Sequence, residues 1–301
     1  MNLEYSRAYV SSASDGRPNL LIVGAQKAGT TLLATRLARH PDIYLPPQKE
    51  MNFFTDSNWS LKSANYLAHY SNHRNTLYRL DATPGYFWTS RANKEFDDRK
   101  SNSYSVENAI YNFLGPETRI FIILRHPTRR AVSAFFHHFR MGRISTRAKI
   151  RNLLKFKGIV DMGFYSEHLS NYFAIFPEDK VKVLFIEEYS KDMLSCDLGI
   201  YQWLGLDQSK VDNFVAPQDN INFKTEVSNN AIRLCSGIEQ VLNLIATDSR
   251  FQKMAPVDPP CVEQEDLEIL NKIYYNEITK MYAMFPKVSG FWKLNLSLSD
   301  F

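Results

Sequence analysis

The segment that most constrains the fold lies near the amino end, where a short apolar run meets a glycine-containing loop. Residues 20–23 are continuously apolar and end at Gly24, a pattern typical of a strand buried on both faces in a parallel sheet. A helix is predicted over residues 30–40, with Leu33 and Leu37 on its inner face. A buried strand, a tight loop and a helix in this order indicate an α/β protein.

The same alternation of strands and helices continues along the chain. Residues 120–124 form the strongest predicted strand, and Pro127 suits the first turn of the helix that follows. Other strands are predicted over residues 43–45, 77–80 and 181–186, and other helices over residues 61–70, 198–204, 229–246 and 265–285. This alternation predicts a P-loop-like, three-layer α/β fold with a central, mainly parallel β-sheet flanked by helices.

Length and composition indicate a single globular domain. The 301 residues are 44% hydrophobic and 23% charged, close to the average for globular proteins. Residues 1–18 are polar and predict a flexible N-terminal tail, and no linker rich in Pro, Gly or Ser divides the rest. We therefore expect one domain over residues 19–301.

Charge and cysteine content exclude several functional classes. With 36 basic and 32 acidic residues the net charge is +4, too balanced for a nucleic-acid binder but compatible with a local anion pocket. Three widely spaced cysteines form neither a disulfide framework nor a CxxC metal site, so no metal is expected. No signal peptide and no apolar run of about 18 residues is visible, which predicts a cytoplasmic protein with no membrane partner.

The loop after the first strand carries the chemistry of a phosphate site. Backbone N–H groups at the start of a helix, together with the helix dipole, attract an anion. Glycines permit the tight path, while lysine and threonine side chains add charge and hydroxyl donors. The candidate phosphate-binding residues are Gln26, Lys27, Ala28, Gly29, Thr30 and Thr31.

This loop differs from a Walker A motif, which ends in Gly-Lys-Ser/Thr. Here Lys27 precedes Gly29, and the strongest strand ends at Arg125, where a Walker B motif would supply an aspartate for Mg²⁺. The loop is therefore predicted to hold a phosphate without the usual magnesium machinery. The alternative is an ordinary strand–helix turn with surface Lys and Thr residues.

A second anion site is predicted at the end of strand 120–124. Arg125 is positioned to bind a phosphate, and Ser133 lies eight residues later in the next helix. Ligands of open α/β sheets gather at the carboxyl ends of strands. The alternative is that Arg125 pairs with an acidic neighbour and that Ser133 is a small packing residue.

Together these segments resemble the sulfotransferase family that uses 3′-phosphoadenosine 5′-phosphosulfate (PAPS). Residues 24–31 resemble its 5′-phosphosulfate loop, and residues 123–133 resemble its 3′-phosphate motif. Residues 46–54 are similar to its Lys-Glu-x-x-Phe-Phe segment, and residues 81–87 to its acidic-x-Thr-Pro-x-Tyr segment. The resemblance covers about residues 19–206 and is closest to the bacterial and glycosaminoglycan-type branch.

The resemblance implies transfer of a sulfuryl group from PAPS to a hydroxyl or amine of a small-molecule natural product, as in secondary metabolism, or of a saccharide. It implies release of 3′-phosphoadenosine 5′-phosphate (PAP) and no required metal. Lys27 would neutralise charge on the leaving phosphate, and Glu50 would be the general base. The alternative for Glu50 is a surface carboxylate paired with Lys49. The implied cofactor-binding residues also include Arg125, Ser133, Tyr165, Phe223 and Lys224.

Several alternatives remain open on the residues alone. Asn52 stands where some relatives have His, and Ala82 where others have Lys. The resemblance therefore does not indicate the identity of the acceptor. His137 and His138 are rival bases, although a core histidine is the commoner outcome. The alternative functions are a P-loop nucleotide-dependent kinase or phosphotransferase, and a non-catalytic nucleotide-binding module.

Overall fold

The structure is a computed structural model that describes residues 16–89, 104–211, 225–228, 230–234 and 260–301. These residues form two compact units. Unit 1 holds the described residues up to 125 together with 167–211, and unit 2 holds 126–166 with the described residues from 225 to 301. Each unit has its own apolar core and is described separately.

Strands and helices alternate over residues 20–204, as the sequence predicts. The strands are β1 (Leu20–Gly24), β2 (Ile43–Tyr44), β3 (Tyr78–Ala82), β4 (Arg119–Leu124), β5 (Val181–Phe185), β6 (Thr225–Ser228), β7 (Ala231–Leu234) and β8 (Val262–Glu263). The helices are α1 (Thr30–Leu37), α2 (Ser63–Ala68), α3 (Val106–Leu114), α4 (Pro127–Arg140), α5 (Tyr165–Phe173), α6 (Ile186–Tyr189), α7 (Met193–Leu204) and α8 (Gln264–Met284).

Unit 1 is built on a five-stranded sheet with the order β2-β3-β1-β4-β5. Every strand pair in it is parallel, which confirms the predicted central parallel sheet. All five residues of β1 are buried, because a central parallel strand is covered on both faces. The register pairs Leu20 of β1 with Leu80 of β3 and with Arg119 of β4. The carboxyl ends of these three strands therefore meet at one edge of the sheet.

The core of unit 1 packs α1 and α7 with the sheet. Leu33 and Leu37 of α1 are fully buried in this cluster, as the periodicity predicts. The α7 helix begins at Met193, five residues before its predicted start, because Asp192 accepts a hydrogen bond from the Ser195 N–H and caps it. Of the predicted N-terminal tail, residues 16–18 are described, and the Arg17 carbonyl accepts a hydrogen bond from Arg79.

Unit 2 combines α4 and α8 with a small antiparallel sheet of order β6-β7-β8. Apolar residues of α4, β7 and α8, such as Phe135, Ile232 and Leu270, are fully buried in one cluster. The predicted helix over 229–246 is wrong where the chain is described, because residues 231–234 form β7. Asn230 has a φ of 56°, and Asn tolerates this left-handed conformation, which allows a tight hairpin instead of a helix.

None of the helices in the described ranges combines the length and apolar character needed to cross a membrane.

The close packing at the end of β1 can be tested by substitution of Gly24. A Cβ there would lie 2.3 Å from the Cβ of Phe87, a buried residue. Gly24→Ala is expected to lower the free energy of unfolding by about 1–3 kcal/mol in urea denaturation, because a rigid contact must be forced apart. The matched control is Gly199→Ala in α7, where no described atom lies within 4 Å of the added Cβ. This control should raise stability by about 0.5–1 kcal/mol; equal effects of the two substitutions would contradict the packing.

Candidate active site

The phosphate loop predicted from the sequence connects β1 to α1. The Ala25 N–H donates to the Ile123 carbonyl at 2.7 Å, which fixes the start of the loop to β4. The Ala28 N–H donates to the Ala25 carbonyl at 3.1 Å, so this amide stabilises the loop itself. Lys27 has a φ of 69° and Gly29 a φ of 98°. The loop thus turns through two left-handed residues immediately before the helix.

The amino end of α1 has the features of an anion site. Gly29 occupies the N-cap position and no side chain of the described residues caps the helix. The first N–H groups of a helix have no partner within the helix, so an anion can bind them. Thr30 is buried and Thr31 is exposed at this end. The φ of Gly29 favours glycine here, and a Cβ would also lie 2.7 Å from a methyl group of Ile186, which would have to shift.

Arg125 lies directly after β4, beside the same loop. Its Nη1 atom is 3.5 Å from the Lys27 carbonyl oxygen. The Arg125 guanidinium therefore lies against the predicted phosphate loop. Gln26 also lies in this loop, where its Oε1 atom is buried without a hydrogen-bond partner among the described residues. A buried acceptor of this kind can be satisfied by a donor group of a ligand.

The candidate base, Glu50, forms an ion pair with Lys49 on the segment between β2 and α2. Lys49 Nζ lies 3.7 Å from Glu50 Oε1, and the Glu50 side chain is 51% exposed. The same ammonium group donates a hydrogen bond to Thr31 Oγ1 of α1. Burial lowers the pKa of Lys49, and the negative charge of Glu50 partly offsets that shift. The acid is thereby joined to the phosphate loop through a lysine.

A buried carboxylate at the end of β3 organises the neighbouring chain. Asp81 accepts hydrogen bonds from the hydroxyls of Thr83, Tyr66 and Tyr86 at 2.7, 2.8 and 2.9 Å. Burial raises the pKa of Asp81, and these three hydroxyls lower it. Burial likewise raises the pKa values of Tyr66 and Tyr86 well above the ordinary value, so both hydroxyls remain protonated donors.

Two of these hydroxyls also hold the backbone that follows Glu50. Tyr86 accepts a hydrogen bond from the Phe53 N–H at 3.0 Å, and Thr83 accepts one from the Asn52 N–H at 3.4 Å. The Asn52 side-chain amide donates to the Glu50 carbonyl at 2.7 Å. Glu50 and Asn52 both have positive φ angles, 62° and 51°. A non-glycine residue in this region costs energy and persists where its surroundings hold it.

The remaining predicted residues lie in unit 2 or outside the described ranges. Ser133 is half-buried on α4. Tyr165 is fully buried, with its ring 6.1 Å from that of Trp292. Phe223 and Lys224 lie outside the described residues. The roles of these four residues remain predictions.

The rival base His138 is also in unit 2. It is buried on α4, and its pKa is lowered to about 4 by burial and by the charge of Arg143. It is therefore a neutral, packed histidine near pH 7. Within the described ranges, no group of three or more His, Cys, Asp or Glu side chains is arranged to hold a metal ion.

Comparison with known proteins identifies the family. The family model described as "Sulfotransferase domain" matches residues 17–254. The chain belongs to the sulfotransferase domain family. This match confirms the predicted family and the predicted enzyme class.

The similar curated proteins are longer than this chain. A bifunctional heparan sulfate N-deacetylase/N-sulfotransferase 1 from Caenorhabditis briggsae is 25% identical over 219 residues, which cover 65% of this chain and 24% of that protein. A heparan sulfate glucosamine 3-O-sulfotransferase 6 from Mus musculus is 25% identical over 175 residues, 53% of this chain and 44% of that protein. The matches thus span less than half the length of these relatives.

A solved structure supports the fold. The crystal structure of a sulfotransferase from Alicyclobacillus acidocaldarius matches with a TM-score of 0.55 and 23% identity, covering 85% of this chain and 95% of that one. The predicted three-layer α/β fold is confirmed.

The contacts of Lys49 and Asp81 are not predicted from the sequence. There Lys49 is named only as a pairing partner of a surface Glu50, and Asp81 only as part of the segment 81–87. The available signal was the position of each residue next to a predicted functional segment: Lys49 precedes Glu50, and Asp81 ends a buried strand.

The Asp81 network can be tested with a matched pair of variants. Tyr86→Phe and Tyr66→Phe each remove one hydrogen bond to Asp81, and each should cost about 1–3 kcal/mol of stability. Only Tyr86→Phe also leaves the Phe53 N–H without its acceptor. Amide hydrogen exchange at Phe53 should therefore accelerate in Tyr86→Phe but not in Tyr66→Phe. Equal protection of Phe53 in the two variants would contradict the role given to Tyr86.

Proposed function

We propose that this chain transfers a sulfuryl group from PAPS to a hydroxyl or amine of a saccharide or a small-molecule natural product, and releases PAP. The observation that carries this proposal is the uncapped amino end of α1, with Lys27 in its loop and Arg125 beside it. Membership of the sulfotransferase domain family supports the choice of a sulfuryl group over a phosphoryl group.

In this proposal, different residues of unit 1 bind the two phosphate positions of PAPS. The N–H groups at the start of α1 and the hydroxyls of Thr30 and Thr31 bind the 5′-phosphate, where the helix dipole favours negative charge. Arg125 binds the 3′-phosphate, to which a guanidinium donates charge-assisted hydrogen bonds. Ser133, Tyr165, Phe223 and Lys224 are proposed as further contacts of the nucleotide.

The transfer step needs positioning and charge neutralisation. Glu50 accepts the proton of the acceptor hydroxyl or amine while the acceptor oxygen or nitrogen forms its bond to sulfur. The bond between sulfur and the bridging oxygen of PAPS breaks, and its electron pair remains on the 5′-phosphate of PAP. Lys27 neutralises the charge that grows on this oxygen. The half-exposed position of Glu50 leaves its carboxylate accessible to an acceptor.

The acceptor class is proposed from the relatives. Two similar proteins are named for heparan sulfate, which supports a saccharide acceptor. The aromatic side chains near the end of β3, Tyr86 and Phe87, are buried and so give no information about the acceptor. A cytoplasmic location and a place in secondary metabolism remain predictions from the sequence.

Activity is tested by incubating the chain with PAPS and a panel of acceptors, reading a mass gain of one sulfo group. Transfer should persist in EDTA. Lys27→Ala should lower kcat by more than about tenfold, since it removes charge stabilisation. Glu50→Gln should lower it by about 10²–10⁴-fold, since it removes the base.

Asp56→Asn is the matched control, because Asp56 is an acid on the same segment that is also paired with a lysine, Lys62. It should keep wild-type kcat. A Glu50→Gln enzyme with full activity across pH would contradict the base assignment. Transfer from ATP that requires Mg²⁺, with none from PAPS, would favour a kinase instead.

The assignment of Arg125 predicts a selective loss of affinity. Arg125→Ala should weaken PAP binding about tenfold or more, because a charge-assisted hydrogen bond to phosphate is lost. The affinity of the same variant for adenosine 5′-phosphate, which lacks the 3′-phosphate, should stay within about threefold of the wild-type affinity, as measured by calorimetry. Arg119→Ala, at the opposite end of β4, should change neither affinity. Equal weakening of both nucleotides by Arg125→Ala would indicate damage to the loop and would overturn the assignment.

A further inference from the structure

Lys49 has contacts that the proposed roles of Lys27 and Glu50 do not explain. It lies on the segment between β2 and α2, yet its ammonium group donates a hydrogen bond to Thr31 on α1. The same group forms the ion pair with Glu50 at 3.7 Å. One lysine therefore contacts both the candidate base and the candidate phosphate-binding helix.

The location of Lys49 indicates that these contacts are needed to keep its charge. The Lys49 side chain is only 27% exposed, and burial disfavours an ammonium group unless other groups compensate. Glu50 is the charged side chain that faces Lys49 from its own segment, and Thr31 is the polar side chain that faces it from α1. Loss of either contact would leave the ammonium group poorly compensated.

The contact with Thr31 also orients the threonine hydroxyl. Because Thr31 Oγ1 accepts from Lys49, one of its lone pairs is occupied and its own hydrogen must point elsewhere. The Thr31 hydroxyl therefore serves as a fixed point on α1 to which the Lys49 ammonium group is anchored.

We propose that Lys49 is a positioning residue that fixes the Glu50 carboxylate relative to the phosphate loop by bridging it to Thr31. This inference rests on the proposed function, since it assigns Glu50 as the base and α1 as the binding site of the 5′-phosphate. Base catalysis depends on the distance between the base and the reacting atom, and a small displacement of the base lowers the rate strongly.

A double-mutant cycle tests whether Lys49 acts through Glu50. Lys49→Gln alone should lower kcat about tenfold to a hundredfold, because the base is no longer held in place. PAP affinity should stay within about threefold of wild type, because Lys49 itself is not assigned to the nucleotide. In a Glu50→Gln background, Lys49→Gln should lower kcat by less than about threefold, because no base remains to be positioned.

Lys62→Gln is the matched control. Lys62 lies on the same segment and pairs with Asp56, but its ion pair does not include Glu50. It should leave both kcat and PAP affinity unchanged.

Lys49→Arg supplies a second readout through the pH profile. The lowered pKa of Lys49 means that its ammonium loses its proton as pH rises through that value, so wild-type kcat should decline on the alkaline side. Arginine stays protonated throughout this range. Lys49→Arg should therefore retain more activity than Lys49→Gln, and its alkaline decline should shift to higher pH.

The outcomes separate this inference from the proposed function. The inference is overturned if Lys49→Gln keeps kcat within about twofold of wild type, or if its loss is additive with that of Glu50→Gln. A parallel loss of PAP affinity would indicate a direct nucleotide contact and would also overturn it. A wild-type chain that neither binds PAP nor transfers from PAPS would overturn both proposals, whereas an active wild type with an unaffected Lys49→Gln variant overturns only this one.

Discussion

The arrangement of the candidate site depends on one buried carboxylate. Asp81 lies at the end of a central strand and accepts hydrogen bonds from three hydroxyls. Two of these, Tyr86 and Thr83, accept in turn from the backbone of residues 52 and 53. A buried carboxyl group is stable only when its hydrogen bonds are made. Two of the hydroxyls that satisfy Asp81 therefore also hold the segment that carries Glu50 against the sheet.

The parallel sheet brings the phosphate loop and Arg125 to the edge of the sheet where Asp81 lies. Because β1, β3 and β4 run in one direction, their carboxyl ends deliver the phosphate loop, the Asp81 network and Arg125 to neighbouring positions. The uncapped amino end of α1 then supplies N–H groups, and Lys49 connects that helix to Glu50. In the proposed function, nucleotide binding and proton transfer fall to separate segments, which contact each other through Lys49 and Thr31.

Local sequence patterns were sufficient to predict much of this architecture. The strand, loop and helix around Gly24 and the strand ending at Arg125 are encoded within short windows, since apolar runs and glycine positions act locally. The Lys49–Thr31 and Asp81–Tyr66 contacts could not be predicted, because they join residues whose proximity arises only from tertiary packing. The β7 strand was mistaken for a helix because a tight hairpin turn at Asn230 overrode the apparent helical periodicity.

A crystal structure of the chain with PAP tests the central claim most directly. We expect the 5′-phosphate at the amino end of α1, in contact with Lys27 and the hydroxyls of Thr30 and Thr31, and the 3′-phosphate on the guanidinium of Arg125. Electron density for the nucleotide at another place in the chain, or without contact to Lys27 and Arg125, would contradict the account.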